Sequence, residues 1–317
     1  MTVQDPSGLL ELGNASAFVS AFLPHRCTML LACVQTDVEF AQPAANASTV
    51  LETIDRLGDA GVDLAVFPEC MLTGYGFDSR SEAMGVAITP QDAIIGHIAG
   101  AAGRSSMTVV LGTLLKTGDR LHNSSLMIDG SGIIGRYDKI HLPHLGVDRF
   151  VDRGSLPYSA FPTANGCRVG LAICYDSSFP EPMRELGLAG ADVIALSTNW
   201  PVAAFRTAEI VPPARSMENH LFFISANRCG VERGFDYCGL SAICGPDGVE
   251  LARAPDDQPI VLKAEIDVAD ARNKRIERTT GKHVIDRFAD RRPEFYRRLV
   301  DPVVPPEETG TSGAPGG

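Results

Sequence analysis

Three side chains stand where apolar runs of this chain break off, and together they could do chemistry. Glu69 closes "DLAVFPE", Lys139 sits in "GRYDKIHLP", and Cys174 ends "RVGLAIC" just before "YDSSFPEP". A carboxylate carried out of an apolar strand is partly desolvated. That raises its pKa and suits a general base working near neutral pH. Lys139 follows an amphipathic strand that Pro143 ends, and a fixed ammonium there can face a developing oxyanion. Cys174 stands at a sharp strand-to-helix turn, which exposes a nucleophile and aims backbone N–H groups near it. A nearby lysine would favour its thiolate. Alone, each residue has a plainer reading: a loop acid, a solvated edge lysine, a buried thiol. In combination they form one device, in which a thiolate attacks a carbonyl or nitrile carbon, a carboxylate moves protons and an ammonium holds the oxyanion. No separate histidine is required; His141 and His144 are read as structural or pocket-edge residues.

The elements that must position these groups are legible in outline. Strands are expected at 30–35, 63–69, 107–115, 121–129, 132–143, 168–174, 192–199, 221–229, 239–245 and 259–267. Helices are expected at 43–61, 89–105, 181–191 and roughly 203–220, and the chain end is expected to be polar and helical. Val50, Leu51, Ile54 and Leu57 make an apolar stripe on the first helix. "DGSG" between two strands signals a hairpin. Helices alternate with strands but hairpins interrupt the alternation, which implies α/β architecture with mixed sheets covered by helices. No linker or repeat divides 29–300, so one domain is expected there. Residues 1–28 read as an extension, either a flexible arm or sequence upstream of a start at Met29. The tail 301–317, with "PPEETGTSGAPGG", has a disordered, linker-like composition.

Composition narrows the function classes. The chain has 317 residues, is 44% hydrophobic and carries a formal charge of −11. An acidic protein repels phosphate backbones, so no nucleic-acid partner is expected. No apolar stretch approaches the roughly 20 residues of a membrane span, so no membrane partner is expected either. None of the eight cysteines forms a C-x-x-C pair, which leaves a metal site without support; several end or interrupt apolar runs, as buried thiols do, which points to a reducing, cytoplasmic setting.

The ordered motifs resemble the nitrilase, or carbon–nitrogen hydrolase, superfamily, in its amidase and carbamoylase branch. "FPE" (67–69), "YDKIHLP" (137–143) and "GLAICYDSSFPE" (170–181) match its three signatures in order. "STNWP" (197–201), "ARSMENHLFFISANRCG" (214–230), "GLSAICGPDG" (239–248) and "RRPEFY" (291–296) extend the likeness over roughly 29–300. The resemblance implies a four-layer α-β-β-α sandwich of two mixed sheets, assembled as homodimers or larger homo-oligomers, with no cofactor and no metal. It implies Glu69 as general base, Lys139 as oxyanion stabiliser, Cys174 as nucleophile and the Tyr175 backbone N–H as second oxyanion donor. Many members carry a second glutamate between the lysine and the cysteine strand. Here that loop reads "HLGVDRFVDRG" and offers Asp148 as the nearest substitute, with Asp152 second; the plainer reading pairs Asp148 with Arg149 or Arg153 at the surface.

"CYD" in place of the nitrile-hydrolysing "CWE" favours a small-molecule amide substrate, cleaved through a thioester with release of ammonia. Asn199 and Trp200 are expected beside the substrate pocket, though Trp200 suits a core position equally well. Arg215, Glu218 and Asn219 read as structural hydrogen-bonders. The alternatives are an N-carbamoyl amide hydrolase releasing CO2 and ammonia, a nitrilase, a catalytically silent oligomeric binding protein, and a redox-sensing thiol at Cys174.

Overall fold

A run such as "LLACV", apolar at every position, must be covered on both faces. The computed structural model, which describes residues 28–302, shows how. The first half of the chain runs β1 (Thr28–Gln35), α1 (Pro43–Asp59), β2 (Leu64–Val66), α2 (Arg80–Val86), α3 (Ala93–Arg104), β3 (Thr108–Thr117), β4 (Arg120–Asp129), β5 (Gly132–Asp138) and β6 (Ala160–Pro162). The second half runs β7 (Arg168–Ile173), α4 (Pro180–Leu188), β8 (Val193–Thr198), α5 (Phe205–Asn219), β9 (Phe222–Asn227), β10 (Val231–Glu232), β11 (Phe235–Asp236), β12 (Ala242–Cys244), β13 (Glu250–Arg253) and β14 (Ile260–Asp267). A short helix α6 (Val268–Arg272) and a hairpin of β15 (Arg275–Thr279) and β16 (His283–Asp286) follow.

Two six-stranded mixed sheets form, ordered β14-β1-β2-β3-β4-β5 and β13-β12-β9-β8-β7-β6. Strands β1, β2 and β3 are mutually parallel, as are β7, β8 and β9; antiparallel strands flank both triplets. The sheets pack face to face, with β1 against β9 and β3 and β2 against β8, while α1 and α3 cover one outer face and α4 and α5 the other. Leu31 and Cys33 point into the layer between the sheets with Val66, Val110, Leu171 and Ile224. Ala32 and Val34 point the other way, onto Val50, Ile54 and Leu57 of α1. Strand alternation thus buries both faces, and the expected apolar stripe of α1 is the one that packs; Leu51 lies at its edge.

The expected sandwich is present, with local differences. The strand expected over 132–143 stops at Asp138, so Lys139 stands just past a strand end. Strands β6 and β13 and helix α2 are short elements whose three to seven residues carry too little periodicity to be seen. The expected helical end is instead a hairpin with the five-residue α6 before it and 3-10 turns after it. Gly281, at φ 64, makes its turn, and Ile276 pairs with Ile285 across it. The readings of residues 1–27 and of 303–317 lie outside the described residues.

Candidate active site

Parallel strands deliver side chains to a crevice at their carboxyl ends. Glu69 follows β2, Cys174 follows β7 and Asn199 follows β8. The Ser197 hydroxyl donates to the Phe67 carbonyl at 2.9 Å, which ties the two sheets together beside these ends. Gly112 of β3 lets the 68–70 backbone approach. A Cβ there would stand 2.5 Å from the Cys70 nitrogen and 2.6 Å from the Glu69 Cα.

Lys139 and Glu69 are almost wholly buried, at 1% and 0% exposure. The ammonium donates to Glu69 Oε1 at 2.7 Å and to Asp148 Oδ2 at 2.5 Å. Asp148 is buried too, in the 3-10 turn 146–149, so the surface pairing with Arg149 or Arg153 is not what forms. Asp152 lies apart from the cluster, accepting from Arg80 at 2.7 Å and from the Leu121 N–H at 2.8 Å. Asn123 of β4 donates to Glu69 Oε1 at 2.7 Å and to Asp148 Oδ1 at 2.9 Å. The Tyr75 hydroxyl donates to Asp148 Oδ2 at 2.9 Å. Every oxygen of the two acids is thereby engaged except Glu69 Oε2, which is buried without a partner.

Burial raises the Glu69 pKa and the Asp148 charge adds to the rise; Lys139 and Asn123 oppose it. For Lys139, burial disfavours the ammonium, but Asp148 and Glu69 outweigh it and hold the pKa well above the ordinary lysine value. The ammonium is therefore a permanent charge at the crevice, within the field of Cys174.

Cys174 takes φ 41, in the left-handed region where a side chain is strained, and opens the 3-10 turn 174–178. It is the partly exposed cysteine among the described ones; Cys33, Cys70, Cys167, Cys229, Cys238 and Cys244 are buried. Desolvation and then the Glu69 charge push its thiol up to about 12, against Lys139, the Thr198 hydroxyl and the Asn199 backbone N–H. The thiol thus rests protonated, with a buried carboxylate and a buried ammonium in its field.

The elbow is held by Asp176, which is fully buried. Its carboxylate accepts from the Ile173 N–H at 3.0 Å, the Tyr137 hydroxyl at 2.8 Å and the Tyr158 hydroxyl at 3.2 Å, and lies 2.8 Å from His141 Nδ1. His141 stacks on Phe179, whose ring meets Tyr175 edge-on. His141 is therefore an elbow residue at the rim, and His144 is exposed. Arg215 of α5 donates to the Ser177 carbonyl at 2.9 Å and pairs with Glu218 at 3.0 Å, fastening the far side of the turn.

Asn199 is buried with neither amide atom partnered, and the Tyr237 hydroxyl is likewise buried and unpartnered. Trp200 is 3% exposed and belongs to the apolar core; its backbone N–H donates to Asn227 Oδ1 at 2.8 Å. Tyr75, Asn123, Tyr137 and Tyr158 escaped the sequence reading. The signal for Asn123 was the polar triplet Asn123–Ser124–Ser125 inside an apolar strand, wholly buried in the fold. No group of metal ligands occurs among the described residues.

Fold and site together define a hydrolase of carbon–nitrogen bonds. The carbon–nitrogen hydrolase family model matches residues 30–276, and the chain belongs to that family. It is 35% identical to a protein named nitrilase from Pyrococcus abyssi over 269 residues, 84% of this chain and 99% of the other. It is 33% identical to an (R)-stereoselective amidase of a Pseudomonas species, covering 73% of this chain and 82% of the other. Among solved structures, an amidase from Nesterenkonia sp. superposes with a TM-score of 0.71 at 22% identity, covering 86% of this chain and 96% of that one.

Proposed function

We propose that the chain hydrolyses small linear carboxamides to the carboxylic acid and ammonia, with Cys174 as nucleophile. One observation carries this reading. Glu69 is buried with Oε1 locked by Lys139 and Asn123 while Oε2, in the field of the Cys174 thiol, has no partner. A carboxylate so held has one oxygen free to take and return a proton.

In this mechanism Glu69 takes the Cys174 proton as the sulfur attacks the amide carbon. The Tyr175 backbone N–H and the Lys139 ammonium stabilise the oxyanion. The C–N bond breaks as Glu69 passes its proton to the leaving nitrogen, and ammonia departs from a thioester. Water then attacks the thioester carbon and gives a proton to Glu69. The C–S bond breaks, the acid leaves and the proton returns to sulfur. A thiol with a pKa near 12 is not a standing thiolate, so attack and proton transfer must be concerted with Glu69. Asp148 holds the ammonium in place, the part of the second acid. The unpartnered amide of Asn199 is suited to pair with the substrate's polar end, while Trp200 contributes packing.

Two relatives' names support this substrate class without agreeing on one compound: (R)-stereoselective amidase, and 2-oxoglutaramate amidase in Bacillus subtilis at 26% identity. In a mutant of the Nesterenkonia amidase, the acetamide moiety of fluoroacetamide is covalently added at the active-site cysteine. The relative named nitrilase, at 35% identity, favours nitriles as a second reading. Ammonia release from matched amides, N-carbamoyl amines and nitriles separates the three, with CO2 scored for the carbamoyl series. Amide turnover that disappears in Cys174→Ala is expected. Nitrile turnover with no amide turnover would overturn the substrate class.

The working form is proposed to be a homodimer or larger homo-oligomer. The outer helix α5 and the nearby segment 249–251 expose Phe205, Ile210, Met217, Val249 and Leu251, a grouping that suits self-association. No helix of the described residues is long and apolar enough to cross a membrane. A cytoplasmic location is proposed from the thiols of Cys33, Cys70, Cys174, Cys229, Cys238 and Cys244, which form no disulfide.

A further inference from the structure

The Tyr75 hydroxyl that reaches Asp148 stands at the end of a buried chain of contacts that begins on the other sheet. Past β9, Arg228 is fully buried and donates through Nη1 to Glu232 Oε2 at 2.6 Å. Its Nη2 donates to the Val38 carbonyl at 2.6 Å and to Asp37 Oδ1 at 3.1 Å. The other oxygen of Glu232, Oε1, accepts two backbone donors, the Tyr75 N–H at 2.8 Å and the Gly76 N–H at 2.6 Å. Glu232 is 3% exposed.

Two glycines show how tightly this segment is seated. A Cβ on Gly74, at φ 83, would stand 2.9 Å from Glu232 Oε2. A Cβ on Gly146, at φ 47, would stand 2.2 Å from Tyr75 Cε1. The ring is therefore wedged against the turn that carries Asp148, and its hydroxyl lies within reach of Asp148 Oδ2 at 2.9 Å and of the Leu145 carbonyl at 3.1 Å. The Lys139 ammonium lies 5.8 Å from the ring centroid.

We infer that Glu232 is a positioning residue for the Lys139–Asp148 pair, acting through Tyr75. The inference rests on Cys174 being the nucleophile. Its chemical basis is that Glu232 must accept on both oxygens at once, from a guanidinium on one side and two backbone N–H groups on the other. A glutamine cannot do this: its NH2 must face either Arg228 or the Tyr75–Gly76 amides, and that segment shifts. Asp148, with one donor fewer, then draws harder on the ammonium and pulls it away from the Cys174 sulfur. The thiolate that forms during attack loses stabilisation.

The test is a double-mutant cycle of Glu232→Gln and Tyr75→Phe in the full chain. Two readouts are taken: the rate of Cys174 alkylation by iodoacetamide at fixed pH, followed by intact mass, and kcat and KM on the best amide of the panel. Each single variant is expected to slow alkylation and lower kcat about tenfold with little change in KM, and the double variant is expected to be no worse than the poorer single. Multiplicative losses in the double variant would overturn the inference, because Glu232 would then act by another route. So would an unchanged alkylation rate in either single variant; Tyr75→Phe, which removes one oxygen, tests the last link even if Glu232→Gln fails to fold. Wild-type Cys174 that alkylates no faster than the buried thiols, with no turnover, would instead remove the nucleophile reading on which the inference rests.

Discussion

At the scale of single residues, the site works by keeping one cation between two acids. Removing the cation from such a buried set leaves two acids without a counter-charge, which typically costs about 3–5 kcal/mol. Asp148 also has an electrical effect, because its charge raises the Glu69 pKa. Asp148→Asn keeps the shape and removes that charge, so Glu69 ionises at lower pH. In the proposed mechanism Glu69 must be ionised to accept the thiol proton, so activity is lost as pH falls through its pKa. The acid limb of kcat/KM is therefore expected to move to lower pH in Asp148→Asn, with a lower plateau because Lys139 is held less firmly. A pH–rate profile checks this; a limb that moves upward would contradict the assigned roles. The limb belongs to the coupled Glu69–Lys139–Asp148 cluster rather than to one group.

Elements deliver these residues, and here the readable and the unreadable parts of the sequence divide. Glu69 and Cys174 could be found because apolar runs stop at them, and a strand end is where a parallel sheet offers its residues. Asp148 could be found as the nearest acid in its loop, but not its burial, since nothing local says that the 146–149 turn folds inward onto Lys139. Tyr75 and Asn123 act across 73 and 25 residues of chain to Asp148, and no periodicity reports a contact of that range. Asp176 is a related lesson. Its place after Cys174 bears on substrate choice by family likeness, yet in the fold it closes the strained elbow through Ile173, Tyr137 and Tyr158. The approach of β3 to the Glu69 loop gives an element-scale prediction. Gly112→Ala would force a Cβ to within 2.5 Å of the Cys70 nitrogen. It is expected to destabilise the fold by about 1–3 kcal/mol and to lower kcat by displacing Glu69. Thermal unfolding together with steady-state kinetics measures both; full activity at wild-type stability would show that the loop can yield.

At the scale of the molecule, the two sheets each hold half of the device: Glu69, Lys139 and Asp148 with the first, Cys174 and Asn199 with the second. Their relative placement depends on the apolar layer between them, with Leu31, Val66, Leu171 and Ile224 among its members, and on cross-sheet bonds such as Ser197 to Phe67. The layered architecture was legible from alternating elements and doubly apolar strands. The β15–β16 hairpin was not, because its charged sequence pairs one isoleucine on each strand and little else. The exposed apolar side chains on α5 predict self-association: sedimentation should give a dimer or larger species, and a monomer at micromolar concentration would contradict it. The central claim, that Cys174 carries the acyl group, has a more direct test. Intact-protein mass spectrometry of samples acid-quenched during turnover of a good amide should show a fraction of chains heavier by the acyl group, on the peptide that contains Cys174. The adduct and ammonia release should both vanish in Cys174→Ala. Undiminished hydrolysis by Cys174→Ala would contradict the account.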